Sequence, residues 1–232
     1  MREVVVSLSC SGVLALAGCG GVPAESAPVL LERARTAWAS NWHAVWAIEW
    51  RNAPVTGPLV VEMWHAADGR LRIETLEAPV ATLNGLTLVS TGSRAWLYDV
   101  RTNQAQSGPR DQVRIPLADD MLAAMEWLFS EITPNGLRQA SLDELESGAA
   151  WRLQLSTASG NAATLWLNRQ TGLPAGLALQ GSRWGQVRCV TRRLELPERL
   201  DYRLFDPEPP RGAVRVGPSG ETTQESLSGR GD

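Results

Sequence analysis

The stretch "AWASNWHAVWAIEW", residues 37–50, places Trp38, Trp42, Trp46 and Trp50 at intervals of four. Four residues is close to one helical turn and is also an even number that returns a strand to the same face, so spacing alone leaves both readings open. Composition separates them. Read as a strand from Trp42, the residues Trp42, Ala44, Trp46, Ile48 and Trp50 make an unbroken apolar face, while the opposite face, from His43 to Arg51, turns polar towards its end. Read as a helix, the tryptophans drift by roughly 40° per step, and Val45, Ala47 and Ile48 spread apolar groups around the cylinder. The strand is the consistent reading. Upstream, Leu30, Leu31, Ala34, Ala37 and Trp38 have helical spacing, and Ser40-Asn41 supplies a stop. The quoted segment therefore straddles a helix end and a strand start.

Working outward, "APVTGP" is a turn, "LVVEMWHA" and "RLRIETLE" are two strands joined through "ADG", and "GLTLVS" and "RAWLYDV" are two more joined through "TGS". "PLADDMLAAMEWLFSEITPNG" breaks the rhythm with a helix. Asp119 is its expected N-cap, Asp120 suits its first turn, and Pro134-Asn135-Gly136 is its expected end. Its apolar stripe is Met121, Leu122, Met125, Leu128 and Phe129. Strands resume with "AAWRLQLST", "AATLWLN", "LPAGLALQ" and "WGQVRCVTRRLEL", followed by a short "LDYRLF" segment. One helix, about five strands, a second helix and about four strands predict a mainly β, α+β domain. Its simplest form is an unclosed antiparallel half-barrel with helices against the concave face.

The N-terminus has its own signature. Met1-Arg2-Glu3 precedes an apolar run from Val4 to Gly18, shorter than the roughly 20 residues a membrane span needs. It reads as the core of a secretory signal. Leu16-Ala17-Gly18-Cys19 resembles the lipobox of bacterial lipoproteins, in which the cysteine is lipidated and becomes the mature N-terminus. The expected division is a lipoprotein signal peptide at 1–18, a tether at 19–27, a folded domain at 28–216 and a disordered tail at 217–232, where apolar mass is lacking. Removing 1–18 leaves about 214 residues, enough for one domain with a sizeable core. It also removes Cys10. If Cys19 carries lipid, Cys189 has no partner and reads as a buried strand residue.

The net charge of −3 gives no indication of a nucleic-acid partner. All 22 basic residues are Arg. Two histidines without a third clustered ligand do not suggest a metal site, and His43 and His65 are expected as surface or edge residues. No Gly-x-Ser-x-Gly elbow, phosphate loop, His-Glu-x-x-His or Cys-x-x-Cys is present. Asp119-Asp120 belongs to helix capping. Arg70, Arg72 and Glu74 alternate on one expected solvated face, with room for cross-strand ion pairs. No catalytic residue and no cofactor is assigned.

Three stretches carry a resemblance: "HAADGRLRIETLE", "VSTGSRAWLYDVRTNQAQSG" and the closing "YRLFDPEPPRGAVRV". They resemble the LolA/LolB superfamily of periplasmic lipoprotein carriers and receptors, which takes in lipid-binding lipoproteins and the N-terminal domain of RseB/MucB stress sensors. The resemblance covers about residues 28–216. It implies an unclosed barrel plugged by helices, with an apolar cavity for acyl chains. Soluble carriers of this type lack a lipidated cysteine, so the lipobox makes an anchored receptor or lipid-holding lipoprotein the closer comparison.

The expected function is thus a membrane-anchored, extracytoplasmic envelope lipoprotein that binds a lipid or the acyl chains of a lipoprotein, for sorting or transfer. The alternative is an RseB-like stress sensor working through an envelope protein partner. The expected cavity wall is Trp42, Trp46, Ile48 and Trp50 on the first strand and Met63, Ile73 and Leu97 on its neighbours. Met121, Met125 and Leu128 on the helix, with Leu153 and Leu165 beyond it, complete the wall. The alternative for the same residues is a filled core, since large apolar and aromatic side chains sit inside by default.

Overall fold

The computed structural model describes residues 26–51, 57–182 and 185–217. The leader, Cys19, most of the tether and the tail beyond Gly217 lie outside the described residues.

Helix α1 (Ala27–Trp38) leads into β1 (Trp42–Arg51), β2 (Leu59–His65), β3 (Arg70–Glu77), β4 (Leu86–Thr91), β5 (Arg94–Asp99) and β6 (Gln104–Pro109). Helix α2 (Ala118–Glu131) follows. Then come β7 (Ile132–Leu145), β8 (Gly148–Thr157), β9 (Ala162–Asn168), β10 (Pro174–Ser182), β11 (Gly185–Glu195) and β12 (Val214–Val216). All belong to one 12-stranded sheet in the order β12-β6-β5-β4-β3-β2-β1-β11-β10-β9-β8-β7. Every neighbouring pair is antiparallel except β12 with β6. The sheet is an unclosed half-barrel, as expected.

The order explains the second helix. The chain meanders away from β1 as far as β6, then reappears at the opposite edge as β7 and meanders back until β11 pairs with β1. The link from β6 to β7 must cross the sheet, and α2 is the middle of that link. Its Met121, Leu122, Met125, Leu128 and Phe129 join one core cluster with the concave face.

The alternation read in the opening stretch holds. Trp42, Ala44, Trp46 and Ile48 are each no more than 1% exposed. On the helix side, proline stands in the first turn of α1, where its missing N–H is not needed, and Ser40 Oγ caps the Ala37 carbonyl at 2.7 Å. Trp38 and Trp42 then clamp the helix end to the strand start: their rings stack at 4.9 Å, and the Trp42 indole donates to the Trp38 carbonyl at 3.0 Å.

Several sequence expectations are corrected. Helix α2 starts earlier than expected, with Leu117 as N-cap at φ 68°. Asp119 instead accepts the Ile115 N–H at 2.6 Å and pairs with Arg110, while Asp120 accepts the Leu117 N–H at 3.4 Å and pairs with Arg114. Pro134-Asn135-Gly136 does not end the helix in a turn; α2 gives way directly to β7, which runs through those residues with register shifts on either side of Leu137. Strands β6, β7 and β12 have no counterpart in the sequence reading, and "LDYRLF" contains a 3-10 turn at Tyr202–Phe205.

The convex face is also less open than expected. Phe205 is 2% exposed in a small cluster with Ala66, Val89 and Trp96. Arg70 lies over the Phe205 ring, Arg72 donates to the Leu204 carbonyl at 3.1 Å, and the Trp96 indole donates to the Asp206 carbonyl at 2.9 Å. Arg72 pairs with Glu74 along its own strand, not across strands. His43 is not a surface residue: it is 8% exposed, stacks on Trp64 at 4.9 Å and lies between Glu62 (2.7 Å) and Glu195 (3.2 Å). The Arg193 guanidinium, then the His43 ring, hold the Glu195 carboxyl below the usual carboxylate range. Since that pKa is lowered on folding, its contribution is present at neutral pH and is lost as pH falls through the folded-state value.

The C-terminal turn anchors on one side chain. Phe205→Ala should therefore cost about 3 kcal/mol in urea unfolding, with α2 and the concave core unaffected by near-ultraviolet criteria. A loss under about 0.5 kcal/mol would mean the turn does not hold the convex face.

Candidate binding site

The expected wall residues come together. Trp42, Trp46, Ile48, Met63, Ile73, Met121, Met125, Leu128, Leu153 and Leu165 are buried in one cluster, and Trp50 and Leu97 pack against it half-buried. Period-2 alternation on the strands and period-3.6 spacing on α2 aim these side chains at the same space. All three methionines beyond Met1 lie here, and a thioether chain re-packs more readily than a branched one. Cys189, opposite Ile48 in the register, is fully buried, and burial pushes its thiol up to about 12. That thiol is no nucleophile at neutral pH.

At one end of this cluster the structure opens. A cleft of about 1050 Å³ lies between the first half of α2 and the ends of β3, β4 and β5, at the upper end of the size range for small-molecule sites. Its apolar floor is Trp38, Trp42, Leu71 and Leu122. His65 stacks on Trp42 at 5.2 Å and, since its Nδ1 faces the Ser40 carbonyl at 2.9 Å, donates there. Three aromatic rings thus line up along the mouth. The rim is charged, with the Arg110–Asp119 and Arg114–Asp120 pairs and the carboxylates of Asp111 and Glu126.

The rim is built by the connection into α2. Arg110 donates to the Val113 carbonyl at 3.0 Å while pairing with Asp119, which folds residues 110–117 back on the helix start. Leu117 holds a positive φ that L side chains rarely adopt. Two carboxylates in the first turn also match the positive end of the helix dipole.

Of the expected wall, Trp42 lines the open cleft; the other members lie in the packed cluster behind it. Sequence reading does not identify Leu71, His65 or the arginine–aspartate rim as parts of a mouth. Trp38 and Leu122 are visible there only as members of helical stripes, because the cleft is assembled from segments far apart in the chain. Among the described residues no group of three or more His, Cys, Asp or Glu side chains could hold a metal ion.

No protein-family model matches the chain, and no curated protein matches it. Solved structures do. An uncharacterized conserved protein from Thermus thermophilus is 17% identical, with 83% of this chain and 99% of that one aligned at a TM-score of 0.53. MucB is 18% identical, with 78% of this chain aligned at 0.51. The chain shares the unclosed half-barrel fold of these two structures. It spans 62% of the length of MucB. A LolA superfamily protein from Nitrosomonas europaea aligns more loosely, at 11% identity, 78% of this chain, 98% of that one and a TM-score of 0.35. Among the described residues of the half-barrel, no helix is long and apolar enough to cross a membrane.

The burial of Cys189 is directly measurable. In protein lacking residues 1–19, a thiol reagent at pH 8 should leave Cys189 unmodified for hours and react fully on denaturation. Rapid labelling of the native protein would show that the concave core is open to water.

Proposed function

We propose that this protein is an envelope lipoprotein, held extracytoplasmically by a lipidated Cys19, whose half-barrel holds a lipid or the acyl chains of a lipoprotein during sorting or transfer. The reading is one of binding, without catalysis. The observation that carries it is the continuity between the cleft and the core: Trp42 lines the cleft and belongs to the same buried apolar cluster as Met63, Met121 and Met125.

The energetics suit exchange with a bilayer. Burying one methylene from water yields about 0.8 kcal/mol whether it enters a membrane or an apolar protein wall. Transfer between the two is then nearly thermoneutral, and direction follows from the headgroup and from what the acceptor offers. The anchor obeys the same arithmetic, since several acyl chains on Cys19 hold where one is marginal.

Two outcomes test this reading. Cys19→Ala should shift the protein from the membrane to the soluble fraction of its host; retention in the membrane would remove the anchor. Ala123 lines the cleft on α2, and Ala123→Trp should lower uptake of a fluorescent phospholipid at least tenfold with the fold intact by circular dichroism. Equal uptake by both forms would place lipid elsewhere.

A further inference from the structure

The concave face behind the cleft contains polar atoms that the fold leaves unsatisfied. Trp46 is 0% exposed and Thr75 is 6% exposed, yet neither Trp46 Nε1 nor Thr75 Oγ1 has a hydrogen-bond partner among the described residues. This is not the habit of the fold. Trp42, Trp96 and Trp166 donate to Trp38 O, Asp206 O and Asp143 Oδ2 at 2.9 to 3.0 Å. A buried orphan costs about 1–3 kcal/mol, and phenylalanine or valine would fill the same space without that cost.

The two orphans share a row. Trp46 stands opposite Val61, and Val61 stands opposite Thr75, so all three project from the same concave face. Two strand spacings put the Trp46 and Thr75 backbones about 10 Å apart, within joint reach of one inserted group. Trp50, whose Nε1 is also an orphan donor, follows four residues later on β1, with its backbone about 13 Å further along the strand. Towards the mouth, the next tryptophan on this face is Trp42.

We propose that this row is a carbonyl-recognition site: Trp46 Nε1 and Thr75 Oγ1 donate to the neutral carbonyl oxygen of an ester- or amide-linked acyl group, so the protein prefers acyl-linked over ether-linked lipids. The inference rests on the lipid-holding reading. An indole N–H can only donate, so its partner is an acceptor and not an amine. A carboxylate or phosphate oxygen would bring an unpaired charge into an apolar wall, which is far costlier than a neutral carbonyl. Met63 and Met121 share the core cluster with Trp46 and can re-pack to admit the group.

The test compares a diester phosphatidylcholine with its diether analogue of the same chain length, on protein lacking residues 1–19. The wild type should bind the diester about tenfold more tightly, and the infrared ester carbonyl band should move to lower frequency on binding. Trp46→Phe and Thr75→Val should each reduce the ratio of diester to diether affinity, and together bring that ratio to about one, whatever the change in overall affinity. Thr75→Val is nearly isosteric and keeps the test valid if Trp46→Phe perturbs folding. Equal binding of both lipids by wild type, or an unshifted ester band, would overturn the proposal while the lipid-holding reading stands. Binding of neither lipid would overturn both.

Discussion

The apolar face of β1 cannot be left to water. Each buried indole removes about 150–250 Å² from solvent, which at roughly 25 cal/mol per Å² amounts to roughly 4–6 kcal/mol per ring. With Trp42, Trp46 and Ile48 in the centre of a 12-stranded sheet, the fold is organised around covering that face. Both helices serve this need. Helix α1 precedes β1 and turns back through the Trp38–Trp42 stack, and α2 crosses because the meander resumes at the far edge. Arg35 ties the two helices, donating to the Phe129 carbonyl at 3.0 Å.

A cover made of one crossing helix is a cover that leaves an end open, and this is where the site forms. Trp42 lines the mouth, while Trp46, four residues on along β1, is wholly buried in the cluster that also holds the methionines. The convex face has the opposite solution: the 3-10 turn carrying Phe205 and the short parallel strand β12 lie over it and over the β6 edge. The concave cover carries Met121 and Met125, whose thioether chains re-pack more readily than branched ones.

Much of this is legible in the sequence, and the failures have physical causes. Strands β1 to β5 and β8 to β11 announce themselves by alternation and turn residues, and α2 by its Met/Leu stripe. Strand β6, "QAQSGP", has no alternation to read; it is a strand because β5 pairs with all of it. Strand β7 is hidden by Pro134-Asn135-Gly136, residues that favour turns but are accommodated where the register shifts. His43 reads as exposed because it sits on the polar face of β1. Its burial comes from Trp64 and from two carboxylates on neighbouring strands, information that no local window contains. The wall residues are readable because periodicity reports a shared face; the mouth is not, because it is the meeting of α1, α2 and the strand ends β3 to β5.

If the space between α2 and the tryptophan face takes a ligand, that ligand should accompany the protein through purification. The most direct measurement is mass spectrometry of organic extracts from the domain lacking residues 1–19, purified from its native host, beside a Trp46→Ala/Trp50→Ala variant. A stoichiometric lipid is expected with wild type, and its loss from the variant. Folded wild-type protein with no bound lipid would contradict it and leave the tryptophan face as a packed core.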